Sequence, residues 1–468
     1  MKQQLLTICA ILLGFTLTAQ TTFLPLQNID PSTGAEPYEI EAGDLDGDGD
    51  IDLVMATNTN PTNVDNTIRW YSNDGSGNFS IETDVSTSIR WVDGLEVADI
   101  DGQFGLDIIA SSANQGKLVY FLSDGVGGFG LEVSIDATLT GGPGEVVAGD
   151  INGDGNTDIA VAVFGNKTAW YSGDGTGNFT AETDIESGTN NPFYMDMADY
   201  DGDGDLDVVV GFFTGQSIEV YYNQLIELGS VSWIKDTETV DSGDAFLLHV
   251  QFADVNNDGD MDIIKVDNGG AGGDVDWYDK EKDMPATINN VSNASIIDRP
   301  GEVIVEDIDG DTFNDVILTD FGTSDDAIIW FKGANNANPS STPTTITDNN
   351  FQMQALALAD FDGDSDLDIA SIGNASETVF WLENELITLS VNAFETNAIN
   401  MYPNPSKDYV SFNGIQDSAN LTIYSVLGEQ VLQASVNDNS PLNISNLASG
   451  VYVVKFEGNS VTQRLIKQ

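Results

Sequence analysis

The 468-residue sequence contains one cysteine, one histidine and only 15 Lys+Arg against 76 Asp+Glu. Each shortage removes a class of chemistry. Cys9 lies inside the apolar N-terminal run, so an exported chain would carry no thiol, and neither disulfides nor a Cys-His nucleophile could be built. His249 is the sole imidazole, five residues ahead of Asp254; it is read as a structural side chain, and histidine-rich metal sites and Ser-His-Asp catalysis are set aside. A formal charge of −61 and a pI near 4.1 repel phosphate backbones and anionic headgroups, so nucleic acid is not an expected partner. Long apolar runs are also missing. Leu5 to Leu17 is too short for the roughly 20 residues that span a bilayer, no later segment exceeds it, and direct membrane insertion is not expected. What remains is ample core material: 41% hydrophobic residues with 22 Phe, 13 Tyr and 7 Trp, which argues for a folded chain despite its acidity.

Lys2, the apolar Leu5–Leu17 stretch and the small Ala19 read as a signal peptide over residues 1–19. Beyond it a repeat dominates. An acidic nine-residue loop starts at Asp44, Asp99, Asp150, Asp199, Asp254, Asp307 and Asp360, at intervals of 55, 51, 49, 55, 53 and 53 residues. This period suits a four-stranded propeller blade and exceeds that of helical repeats. The expectation is an all-β chain with a seven-bladed β-propeller over residues 20–385. Its last copy lacks a fourth strand, while Thr21–Ile29 has no partner ahead of the first copy; pairing the two would close the ring and remove an exposed edge.

The loops are the candidate metal sites. In order they offer Asp44, Asp46, Asp48, Asp50 and Asp52; Asp99, Asp101, Gln103, Gly105 and Asp107; Asp150, Asn152, Asp154, Asn156 and Asp158; Asp199, Asp201, Asp203, Asp205 and Asp207. The last three offer Asp254, Asn256, Asp258, Asp260 and Asp262; Asp307, Asp309, Asp311, Phe313 and Asp315; Asp360, Asp362, Asp364, Asp366 and Asp368. Oxygens at positions 1, 3, 5 and 9, a backbone carbonyl at 7 and glycine at 4 or 6 wrap a hard cation as the first part of an EF-hand loop does. Calcium fits best, up to seven ions, one per loop. Without a counter-ion the clustered carboxylates would be only solvated turns repelling one another. The second loop, with Gln103, and the sixth, with Thr312 and Phe313, are expected to bind most weakly. Position 12 holds Met55, Ala110, Val161, Val210, Lys265, Leu318 and Ser371 where an EF-hand needs Glu, so the chain continues into a strand. With these loops, the chain over about residues 22 to 385 resembles the FG-GAP/VCBS repeat family, calcium-loop propellers related to the integrin α-subunit head.

After a linker over 386–397, residues 398–468 alternate apolar and polar with Gly and Pro punctuation, the pattern of a small β-sandwich. Tyr402-Pro403-Asn404-Pro405, Ile423 to Gly428, Leu447 to Tyr452 and the basic end Arg464 to Lys467 resemble the type A sorting domain of the type IX secretion system of Bacteroidota. The resemblance implies passage through the periplasm and across the outer membrane, with type IX secretion machinery as a partner and a secreted or cell-surface location.

Recurring aromatic pairs such as Trp70-Tyr71 and Trp170-Tyr171 sit at one offset and are read as packing between blades. A non-catalytic binding or adhesion role toward an extracellular glycan or protein is expected, on the face opposite the acidic loops. Its candidate contacts are Tyr38, Arg90, Trp91, Phe193, Tyr194, Phe246, Arg299 and Phe351, which differ from copy to copy as contact residues can. The alternative is a polysaccharide-degrading glycosidase or lyase. Glu39, Glu145 and Glu302 recur at one offset, as paired carboxylates require, but they recur because the blade does, and the propeller holds only 10 scattered basic residues.

Overall fold

The computed structural model describes residues 20–468 except 59–66, 104, 189, 214–216, 237–239, 243–245, 269–272, 280–286, 293–296, 298, 322–326, 348–351, 388–399, 414, 416–417, 426–429 and 457–461. The signal-peptide reading, most of the linker and Phe351 lie outside the described residues. Among the described residues the chain is all-β apart from one short helix, Leu225–Leu228, and it divides into two compact units, with the sequence boundary after Ile387. Among the described residues no helix is long and apolar enough to cross a membrane.

The larger unit consists of sheets whose main path has four strands, and seven are described. In the first, Pro37–Gly43 is innermost, followed outward by Asp52–Thr57, Ile68–Asn73 and Phe79–Ile81. The second strand of every sheet is buried along nearly its whole length and has an apolar centre, as in Ile159 to Val163 and Val208 to Val210, with polar residues such as Lys265, Asp320 and Ser112 buried beside it in some sheets. Such a run is stable only if both sheet faces are covered. They are. Leu53 and Met55 enter a core shared with the seventh sheet, while Val54 and Ala56 enter one shared with the second. The two-residue alternation of a strand thus feeds two cores at once, and truncating Leu53 to alanine would cost about 2–5 kcal/mol. Seven such cores lie between consecutive sheets, the last joining the seventh to the first.

The aromatic rows belong to these cores: Trp70, Trp170, Trp277 and Trp381 are at most 5% exposed. In the fourth sheet Tyr221 pairs with Val208 as Tyr71 pairs with Leu53, so Val220 takes the tryptophan position. Gly77, in the first hairpin, has φ +68° and lies so close to Trp381 that a Cβ would meet the indole at 2.4 Å; only glycine serves there.

The seventh sheet closes with an N-terminal strand, in a shorter form than Thr21–Ile29. Gln27–Asp30 pairs with Thr378–Leu382 as the outermost strand, and Gln20–Phe23 separately pairs with Asn384–Ile387. The larger unit therefore runs two residues past 385.

The C-terminal unit is a two-sheet β domain. Asn400–Tyr402, Tyr409–Asn413 and Leu442–Asn443 form one sheet; Gln430–Asn437, Ser418–Ser425, Gly450–Phe456 and Thr462–Lys467 form the other. Its core joins Val410 and Phe412 to Leu421, Ile423, Val454 and Phe456.

Candidate functional site

Each acidic loop leaves the end of an innermost strand and returns as the second strand, and its first residues are folded by their own carboxylates. Asp44 accepts the Gly47 and Gly49 amides at 2.8 and 3.1 Å, Asp46 accepts Asp48 N, and Asp48 accepts Asp50 N. Asp150, Asp254, Asp307 and Asp360 likewise accept the amides of the fifth and sixth residues of their loops. The turns need positive φ, supplied by Gly47 and Gly49 in the first loop; Asn257, Thr312 and Ser365 adopt it where glycine is absent, at a conformational cost.

The folding brings positions 1, 3 and 5 together. Carboxylate oxygens of Asp44, Asp46 and Asp48 lie within 4.8 Å of one another, as do those of Asp199, Asp201 and Asp203 and of Asp307, Asp309 and Asp311; in the second loop the group is Asp99, Asp101 and Asp107. Asp46 and Asp362 are held above the usual carboxylate range by burial and by repulsion from Asp48 and Asp364. Asp199 Oδ1, Asp203 Oδ2, Asp205 Oδ1 and Asn256 Oδ1 are shut off from solvent with no hydrogen-bond partner. Oxygens gathered in this way suit a hard cation.

Position 9 plays a different part. Asp52, Asp107, Asp158, Asp207, Asp262, Asp315 and Asp368 are all buried. Asp52 accepts Leu45 N with one oxygen and Asn73 N with the other; Asp107, Asp207, Asp315 and Asp368 repeat the arrangement. Burial pushes Asp52, Asp207 and Asp368 up to about 7, against the pull of those amides. This residue staples the loop to its own sheet. A second staple reaches the neighbour: Asn73 Nδ2 donates to Phe361 O at 2.7 Å, Ser123 Oγ to Leu45 O, Asn223 Nδ2 to Ile151 O and Asn384 Nδ2 to Ile308 O. Each acceptor is the second residue of an adjacent loop, so loop order and ring closure are coupled.

Two participants escaped the sequence reading. Glu227, on the short helix, joins Asp203 and Asp205 within 4.8 Å. Lys332 places its ammonium against Asp309 and, at 2.7 Å, Asp311 of the sixth loop. Its signal was the lone lysine directly after an aromatic pair, Trp330-Phe331.

At the opposite ends of the innermost strands the candidate contacts fall into groups. Phe193 packs on Tyr194 at 4.9 Å and on Phe164 and Phe213, and Phe213 packs on Phe246; Phe246 is 53% exposed. Arg299 stacks 4.5 Å over Phe321. Phe164 ends a second strand, Phe213 and Phe321 directly follow one, and none of the three was singled out by the repeat. Trp91 and Phe246 both have positive φ, 53° and 59°, strain of the kind that persists where surrounding structure imposes it. Tyr38 and Tyr194 line a cavity of about 100 Å³ together with Glu39, Glu145, His249 and Glu302. Arg90 donates its backbone amide to Gln115 Oε1 and accepts from Ser112 Oγ with its carbonyl.

The architecture and loops define an export-tagged repeat protein. A family profile for the FG-GAP-like repeat matches residues 44–110, 105–161, 150–210 and 307–371, and one for the secretion system C-terminal sorting domain matches residues 400–468. The chain therefore carries FG-GAP-like repeats and a type IX sorting domain, which directs export to the cell surface or extracellular space and implies contact with the type IX machinery. Among solved structures it is similar to an Agrocybe aegerita lectin whose recognition of non-reducing terminal N-acetylglucosamine has been described. That match has 16% identity, covers 79% of this chain and 87% of the lectin, and has a TM-score of 0.49. It is also similar to PorZ, a surface component of the type IX secretion system of Porphyromonas gingivalis, with 13% identity, 89% and 58% coverage and a TM-score of 0.44. No curated protein matches the chain.

Proposed function

We propose that the mature chain is a calcium-stabilised, seven-bladed propeller that serves outside the cell as a non-catalytic binding or adhesion module for a glycan or protein. The observation that carries the binding role is the aromatic cluster of Phe164, Phe193, Tyr194, Phe213 and Phe246 with Phe246 exposed, since exposed aromatics are the usual anchors of recognition surfaces. Calcium would be held by positions 1, 3 and 5 of the loops, while position 9 fastens them; the sixth loop, where Lys332 meets Asp309 and Asp311, does not take an ion. The seven shared cores and closing strand support the blade number.

The test is binding of the full chain to immobilised glycans and matrix proteins in calcium, repeated after joint replacement of Trp91, Tyr194 and Phe246 by alanine. Loss of ligand with calcium-dependent melting intact is expected. Retained binding would overturn the assignment of that face. A polysaccharide-degrading reading is favoured by one observation: Glu39, Glu145 and Glu302 meet in a single cavity, and burial pushes Glu302 up to about 7, a value suited to general acid work. Reducing ends or unsaturated products accumulating from a bound glycan would decide for the enzyme.

A further inference from the structure

The innermost strands line two adjoining cavities, of about 100 and 300 Å³, with Glu41, Glu145, His249 and Glu302 common to both. Residues five places before each loop form an upper tier in which Glu39, Glu145 and Glu302 stand with Tyr194 and His249. Residues two places further on form a lower tier with Glu41, Glu96 and Asp196. Two residues along a strand separate the tiers by about 7 Å.

Seven carboxylates line this space, the six of the two tiers and Glu306, and among the described lining residues there is no lysine or arginine. Burial and mutual repulsion raise Glu39, Glu41 and Glu145 well above the usual carboxylate range. The one basic side chain is held neutral, since burial lowers the His249 pKa to about 4. An independent feature also points to a guest. His249 Nδ1 and, in the lower tier, Gln251 Oε1 are sealed from solvent with no hydrogen-bond partner, although both side chains line the cavities. Such orphaned polar atoms are costly unless a ligand satisfies them. The walls of the upper cavity are Tyr38, Tyr194, Leu248 and Phe321, which suit an organic cation through cation–π contact and apolar packing. A metal ion would instead require a compact oxygen shell.

We propose that this channel is a binding site for a linear organic dication, an aliphatic polyamine or guanidino-amine. One charged end lies among Glu39, Glu145 and Glu302 and the other among Glu41, Glu96 and Asp196. The proposal deepens the binding role, because Tyr38 and Tyr194 of the proposed ligand face line the upper cavity. It is independent of the acidic loops, so calcium-dependent melting and glycan capture can fail while it stands.

The experiment is calorimetric titration of the calcium-saturated full chain with agmatine at pH 7 in two buffers of different ionisation heat. Binding is expected with net proton release, because a cation favours the ionised form of carboxylates that burial holds protonated. Glu145→Gln with Glu302→Gln should weaken agmatine at least tenfold, about the value of one lost charged hydrogen bond. Glu41→Gln should do so through the lower tier and serves if the double variant does not fold. Failure of the wild-type chain to bind agmatine at millimolar concentration would overturn the site. So would binding unaffected by these variants.

Discussion

The fourth and sixth loops begin with the same Asp-x-Asp-x-Asp pattern and end differently. In the fourth, Asp199 Oδ1, Asp203 Oδ2 and Asp205 Oδ1 are buried without partners, and Glu227 adds a further carboxylate from outside the nine-residue motif. The sixth has the same convergence of Asp307, Asp309 and Asp311, but Lys332 lies against two of them. The sixth draws positive charge from the chain itself through Lys332; on the calcium proposal the fourth takes it from solution. A repeat motif thus fixes the fold of a loop without fixing its chemistry, which depends on residues outside the motif.

The largest expected effect tests the loops that lack a lysine. At a free concentration 100 times Kd each bound ion adds about 2.7 kcal/mol of native stability. Because loop order is tied to neighbouring sheets through Asn73, Ser123, Asn223 and Asn384, EGTA should lower the melting temperature by roughly ten degrees or more. Melting unchanged by EGTA in scanning calorimetry would end the calcium reading. Next comes Lys332→Met, which should convert the sixth loop into the fourth. The lysine side chain is 45% exposed while that of Asp309 is 6% exposed, so screening keeps the loss near 1 kcal/mol in EGTA. Calcium should restore it, with one more ion bound per chain. A variant whose melting and stoichiometry match the wild type would show that Lys332 is incidental.

The repeat made much of this legible. Its period marked the sheets, and the missing last strand indicated that an N-terminal segment closes the seventh, because both follow from local patterning. Lys332 and Glu227 were hidden for a physical reason: each reaches its loop by tertiary folding, from about 20 residues downstream. The channel tiers were half visible. Glu39, Glu145 and Glu302 shared an offset, but their convergence with His249 depends on closure of the strands around a common cavity.

A smaller effect separates channel from loops by pH. Folded Glu302 titrates at about 7 because burial disfavours its charge, whereas an unfolded glutamate titrates near 4.3. Between those values the folded chain holds a proton that the unfolded chain has released, so this group's stabilisation is present below pH 4 and lost as pH rises through 7. Glu302→Gln should flatten that part of the stability curve. His249 works in the opposite sense between about 4 and 6.5, where the unfolded chain binds the extra proton, and His249→Gln should steepen the fall. An unchanged curve for Glu302→Gln would place the glutamate in water.

The smallest effect concerns Glu227, and it asks whether the extra carboxylate of the fourth loop is a ligand or a neighbour. The residue is exposed on a four-residue helix, and Ile226 N already donates to Asp205 at 3.0 Å, so the helix is held to the loop while the glutamate remains in solvent. An exposed charge acting through space is worth a few tenths of a kcal/mol. Glu227→Gln should therefore weaken calcium binding at this loop by about twofold at low salt, and the difference should vanish at 1 M salt, where the screening length falls to about 3 Å. Direct coordination behaves otherwise, since a bond to the ion is not screened. A tenfold loss persisting at 1 M salt, measured by calcium titration of both proteins, would make Glu227 a true ligand and the fourth loop a site that the nine-residue motif describes only in part.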